Sequence, residues 1–227
     1  MKTLTTVAAY VVTLVMLAGC VAPVGVLQAQ IQSATPEAAR PAIQRTDAVV
    51  RTHPSQGEVR DVEGASATLL TSEEGATAWL HTSGLEPGNV YTLWFVAINN
   101  PEACTETPCP SADVLGNSAV VESEVGYADG IIAETEEGFF AVHMPVGSLA
   151  DGWFGNGFIH SQTAEIHLVI NDHGPLIPEM ASNMLNTYRG GCSDESLPPP
   201  FPDTAKADGE PGPNTCRLIQ SAIFVQR

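Results

Sequence analysis

Apolar and polar positions along this chain come in short bursts, and nearly every burst is closed by glycine or proline. Residues 75–81 (GATAWLH) form a short β run. Residues 84–89 (GLEPGN) read as a turn: Gly84 and Gly88 let the backbone bend, and Pro87 fixes φ at the corner. Residues 90–98 (VYTLWFVAI) are β-branched, aromatic or apolar on both faces, the pattern of a central strand covered on either side. Further strands are predicted over residues 138–144 (GFFAVHM), 164–170 (AEIHLVI) and 217–225 (RLIQSAIFV). No stretch of this region keeps a long helical stripe, and the helix expected over residues 178–187 is short. Many short strands separated by turn signals predict an all-β fold, an antiparallel β-sandwich of Greek-key-like connectivity with at most one short helix.

Residues 1–19 break the pattern. Lys2 supplies a positive charge, residues 4–17 form an apolar run diluted only by threonines, and Leu17-Ala18-Gly19-Cys20 closes it. Charge, apolar core and small residues are the three parts of a secretory signal. The cysteine adds a lipobox, in which the thiol takes a diacylglyceryl group and becomes the anchored start of the mature chain. A plain signal peptide cut after residues 27–29 is the alternative, giving a secreted protein. A membrane-spanning helix is disfavoured, because the run falls short of the ~20 apolar residues needed. By resemblance to Gram-negative lipoproteins, Ala22 at the second position after the cysteine implies sorting to the outer membrane or cell surface.

The expected organisation is therefore a signal over residues 1–19, a lipid-anchored tether over 20–60 with a short helix near 36–45, and a β-sandwich over 61–227. Within that domain, residues 193–214 are rich in Pro, Asp and Gly and are expected to form a long loop. Nine basic residues stand against 26 acidic ones, for a net charge of −17. Such an acidic chain is a poor partner for nucleic acid or for anionic headgroups. The lipid bilayer, reached through the Cys20 acyl chains, is the partner expected.

With Cys20 given to lipid, the five cysteines become an even four, and an even count in an exported chain implies disulfides. Cys104 and Cys109 bracket a tight loop, and Cys192 and Cys216 bracket the Pro-rich stretch, so these pairs are expected among the three possible pairings. A zinc site is disfavoured by the export signal and the lack of a Cys-x-x-Cys pair.

The run Ser-Gly-Leu-x-Pro-Gly-x-x-Tyr over residues 83–91 resembles the hairpin of exported sandwich domains such as the CHRD and fibronectin-like families, a clue to fold alone. The wider pattern joins Asn99-Asn100-Pro101-Glu102-x-Cys104, Ala164-Glu165-Ile166-His167-Leu168-Val169, His173-Gly174-Pro175 and Gly190-Gly191-Cys192. It resembles a group of uncharacterised exported bacterial β-sandwich proteins, and that resemblance implies no particular activity.

Candidate chemistry gathers on residues 164–173. On a strand, Ile166, Leu168 and Ile170 share one face, and Glu165, His167 and Val169 the other, with His173 in the loop beyond. Strand and loop histidines can hold copper or zinc. The metal alternative takes His143, His160, His167 and His173 as ligands, although the His-x-His pair of copper–zinc dismutases is missing. The alternative role for these histidines is hydrogen bonding within the domain. Glu165, Asn99, Asn100 and Glu102 are candidate pocket residues, because the loop closed by Cys104–Cys109 follows the strongest strand. Trp153, Phe154 and Phe158 are expected to anchor a loop over one end of the core, or else to form a sugar-stacking surface. The chain has no Gly-x-Ser-x-Gly elbow, EF-hand or phosphate-cradling loop. The expectation is a surface-tethered extracytoplasmic sandwich that binds rather than catalyses and needs no cofactor, the alternative being a copper- or zinc-binding domain.

Overall fold

A computed structural model describes residues 42–226. The signal, Cys20 and the tether as far as residue 41 lie outside the described residues. Nine strands follow in order: β1 (Gln44–Ala48), β2 (Val50–Thr52), β3 (Ser66–Ser72), β4 (Gly75–Thr82), β5 (Asn89–Ile98), β6 (Ser123–Ile132), β7 (Gly138–Pro145), β8 (Glu165–Pro175) and β9 (Arg217–Phe224). They build a four-stranded sheet, β1-β3-β4-β7, and a five-stranded sheet, β2-β9-β8-β5-β6. Every pairing is antiparallel. The chain crosses between sheets from β4 to β5, from β6 to β7 and from β7 to β8, as a Greek-key-like sandwich requires.

The tether does not extend to residue 60. Gln44–Ala48 pair with β3 and Val50–Thr52 with β9, so the chain passes from one sheet to the other at Val49. Gln44 and Arg45 are extended, not helical. This stretch reads as a linker because its side chains are mostly polar, but at an edge the backbone pairing holds it, and Val50 is fully buried. The expectation of at most one short helix is also corrected. Four appear among the described residues: α1 (Ser111–Gly116), α2 (Ser118–Val121), α3 (Ala181–Asn186) and α4 (Asp203–Ala207). All lie in connections and are too short to show a 3.6-residue period. α3 falls where a helix is expected, and α4 breaks the loop 193–214.

Strand β5 explains the layering. It is buried along its whole length, Asn89–Ile98. Leu93, Phe95 and Ala97 enter the core between the sheets, with Leu69, Leu80, Phe140, Phe158, Ile166, Leu168 and Phe224. Trp94, Val96 and Ile98 enter a second core on the outer face of the five-stranded sheet, with Val125, Trp153, Val169 and Tyr188. A sheet with water on its outer face shows alternating polarity, and β5 does not, because loops cover that face too. Both disulfides, Cys104–Cys109 and Cys192–Cys216, form as expected and tie down the covering loops. The two sheets and both cores lie within one compact unit, Arg40–Arg227.

Candidate functional site

The second core is incompletely filled. Between the outer face of the five-stranded sheet and its covering loops lies a cavity of about 350 Å³. Its floor is Trp94 and Val96 of β5, His167 and Val169 of β8, and Ser221 and Ile223 of β9. The period of two places them there: Ile166 and Leu168 point into the sandwich, so His167 and Val169 point out. Its walls come from the stapled loop (Pro108, Cys109, Pro110), from Trp153, and from Tyr188 and Phe201 of the β8–β9 connection. No Lys, Arg, Asp or Glu lines it.

The walls are aromatic. Trp153 meets Tyr188 edge-on with ring centroids 4.7 Å apart, and Trp94 meets Tyr188 at 5.0 Å and Trp153 at 5.5 Å. Phe201 completes the group, 5.4 Å from Tyr188. These separations suit edge-to-face and tilted aromatic packing. A buried carboxylate holds the Trp153 loop in place. Glu124 is completely buried and accepts backbone N–H bonds from Val125 (3.1 Å), Phe154 (2.9 Å) and Gly157 (2.9 Å). Trp153 itself donates its backbone N–H to Val125 O, and its carbonyl accepts from Thr204 Oγ1. Its indole N–H is the one buried side-chain polar atom without a partner among the described residues.

Two imidazoles supply the polar edge. His167 Nε2 lies 2.6 Å from Glu165 Oε1, which also accepts the Cys109 backbone N–H at 2.6 Å. A carboxylate that accepts places a proton on His167 Nε2, and in the neutral ring Nδ1 then carries the lone pair. His53 stands nearby. Its Nδ1 accepts the Ser55 backbone N–H at 3.2 Å, so the proton of the neutral ring is on Nε2. Burial, followed by the charge that His167 would carry, lowers the His53 pKa to about 4, and the ring is neutral at pH 7. His53 falls in the stretch expected to be a tether; the pattern His53-Pro54-Ser55, a capping side chain before a proline-initiated 3-10 turn, is the signal that marks it.

The four histidines offered as metal ligands do not come together. His143 is exposed on the four-stranded sheet, where its Nδ1 lies 2.9 Å from Thr77 Oγ1. His160 is exposed in the loop before β8. His173 belongs to β8 rather than to the loop after it, six residues from His167, a separation of about 20 Å along a strand. It is fully buried with both ring nitrogens in use: Nδ1 donates to Gly190 O at 2.8 Å and Nε2 accepts from Thr92 Oγ1 at 2.8 Å. Burial lowers its pKa. Thr92 Oγ1 in turn accepts the Trp94 indole N–H. Two groups of ligand-type atoms do cluster, His173 with Cys192 and Cys216, and Asp113 with Cys104 and Cys109. Their sulfurs are paired in disulfides and are not thiolate ligands.

Of the residues offered for a pocket, Glu165 acts through His167 and Cys109. Asn99, Asn100 and Glu102 do not line the cavity. Asn99 is buried and clamps loops, donating to Glu122 O and Gly157 O and accepting from Ile159 N–H; Asn100 donates to Val120 O; Glu102 is exposed. The loop they begin does reach the cavity, but through its far end. Of the three aromatics in the β7–β8 connection, Trp153 lines the cavity, Phe154 packs against the same core and Phe158 is in the sandwich interior. A nucleophilic relay is not assembled among the described residues. Ser55 Oγ bonds His53 Nδ1, but the carboxylate belongs to His167.

Among known families, the model described as "Anti-sigma-K factor rskA, C-terminal" matches residues 4–107, a little under half of the chain. The matched stretch includes β1 to β5, and therefore Trp94 and Val96, but stops before Trp153, His167 and Tyr188. Comparison with curated proteins and with solved structures gives no match.

Proposed function

We propose that this protein is an extracytoplasmic binding domain, tethered to the membrane through Cys20, whose ligand site is the apolar cavity on the outer face of the five-stranded sheet. One observation carries the reading: a sheet face ordinarily left to water is covered by disulfide-tied loops that nevertheless leave about 350 Å³ unfilled. An aromatic-walled, solvent-accessible space of this size falls within the range of small-molecule sites and is suited to a ligand. The two disulfides and the lipobox support a site outside the cytoplasm.

The test is titration with Nile red, a neutral apolar dye that fluoresces on leaving water. Saturable one-to-one binding is expected, abolished in Ile223→Trp, where the indole fills the cavity. Equal binding by Ile223→Trp would refute the assignment. Incorporation of labelled palmitate into the wild type but not Cys20→Ser tests the anchor. The family match favours a second, regulatory reading, in which the domain takes part in control of a sigma factor. A sigma-dependent reporter that is unchanged on deletion and overexpression of this protein would eliminate it.

A further inference from the structure

Resting on the binding reading above, we propose that the cavity takes a neutral apolar molecule bearing a hydroxyl, held between His53 Nε2–H and His167 Nδ1. The tautomers argue for this class. Ser55 N–H occupies His53 Nδ1, and Glu165 occupies His167 Nε2. Each of these two cavity-lining rings therefore has one nitrogen left over, and neither of those nitrogens has a partner among the described residues. Both side chains line the cavity, and both residues are nine-tenths buried. With both rings neutral, one nitrogen donates and the other accepts. A hydroxyl is the simplest group that answers both, because it accepts one hydrogen bond and donates another. A ketone or ether answers the donor alone, and a hydrocarbon answers neither.

Charge narrows the class further. The lining contains no cation to balance a carboxylate or phosphate, and the chain carries a net charge of −17. An anion would be desolvated without a partner in a repulsive field. A cation would meet only Glu165, which is already engaged by His167 and the Cys109 N–H. The aromatic walls, Trp94, Trp153, Tyr188 and Phe201, favour a flat or cyclic body.

The experiment uses four tricyclic probes of one shape: fluorene, fluorenone, 9-fluorenol and fluorene-9-carboxylate. They are titrated into the lipid-free chain from residue 20 onward carrying Cys20→Ser. Fluorenol is expected to bind about tenfold more tightly than fluorene, with fluorenone between them and the carboxylate weakest. In His53→Leu the preference for fluorenol over fluorene should shrink to about threefold or less. Nitrogen-15 shifts of the imidazoles in the unsubstituted histidine pair give a second readout that needs no variant. Fluorenol, but not fluorene, should move His167 Nδ1. Fluorene binding as tightly as fluorenol, or the carboxylate binding best, would overturn the hydroxyl assignment and leave the cavity a binding site. Failure of all four probes and of Nile red would overturn both.

Discussion

Replacing Glu124 with glutamine changes one atom of a side chain that no solvent reaches, and its cost can be worked out from the three N–H groups the carboxylate accepts. Oε1 serves Val125 and Phe154, and Oε2 serves Gly157. An amide has one oxygen. Whichever way it turns, at least one buried N–H faces an NH2 group and loses its acceptor. An orphaned buried donor costs about 1–3 kcal/mol, and the surviving bonds lose their charge assistance, for a total of about 2–4 kcal/mol. In a domain of this size each kcal/mol lowers Tm by about 2–4 °C, so Glu124→Gln should melt roughly 5–15 °C below the wild type. Glu134→Gln, at an exposed position, removes the same charge and should stay within about 0.5 kcal/mol. Calorimetry and urea unfolding give the difference directly. If the two variants prove equally stable, Glu124 is not what organises the Trp153 loop.

Three further expectations come from other parts of the molecule. His53 ionises in the unfolded chain near pH 6.5 but near pH 4 in the folded one. Stability is therefore full above pH 6.5 and falls as pH drops towards 4, by about 3 kcal/mol at most, relative to His53→Leu measured over the same range; parallel curves would contradict a buried neutral His53. Replacing both Cys192 and Cys216 with serine opens a loop of sequence separation 24 and should cost about 3 kcal/mol in denaturant unfolding. An unchanged midpoint would show that the loop is held by its other contacts. At Gly152 a Cβ would sit 2.8 Å from the Glu124 carboxyl carbon, so Gly152→Ala should loosen the same loop and weaken Nile red binding. Undiminished affinity would show that the carboxylate shifts freely.

Much of the sandwich was legible because its strongest signals are local. The unbroken run in β5 announced a strand with two covered faces, and the alternation of 165–170 assigned the two faces of β8 correctly. The end of β8 is hidden in the sequence because Asn171-Asp172-His173-Gly174-Pro175 is turn chemistry. It stays extended since each polar side chain finds a distant partner, Asp172 with the Asn89 amide and His173 with Thr92. β6 (Ser123–Ile132) gave no signal, because Gly126 and Gly130 lie where Leu149 and the Leu185 carbonyl approach the backbone. β1 and β2 look like linker because backbone pairing, not side-chain burial, holds most of them. The cavity was the least legible part. His167 was flagged, but its neighbours His53 and Tyr188 come from segments far apart in the chain. Glu124 is one acidic residue among 26 until the loop at 154–157 returns to it.

The doubly covered strand β5 also constrains how this domain can diverge. Leu93, Phe95 and Ala97 are committed to the sandwich, and Trp94, Val96 and Ile98 to the cavity side, so a change anywhere along the strand disturbs one core or the other. The floor of the site is thereby held fixed by the requirement to fold. The roof is under no such double obligation. Its residues come from connections, two of them tied by disulfides and the third held by Glu124, where length and composition can vary without breaking a ladder. Sequences that diverge from this one would be expected to reshape the cavity through the loops around Cys109, Trp153 and Phe201, over a floor held by the fold.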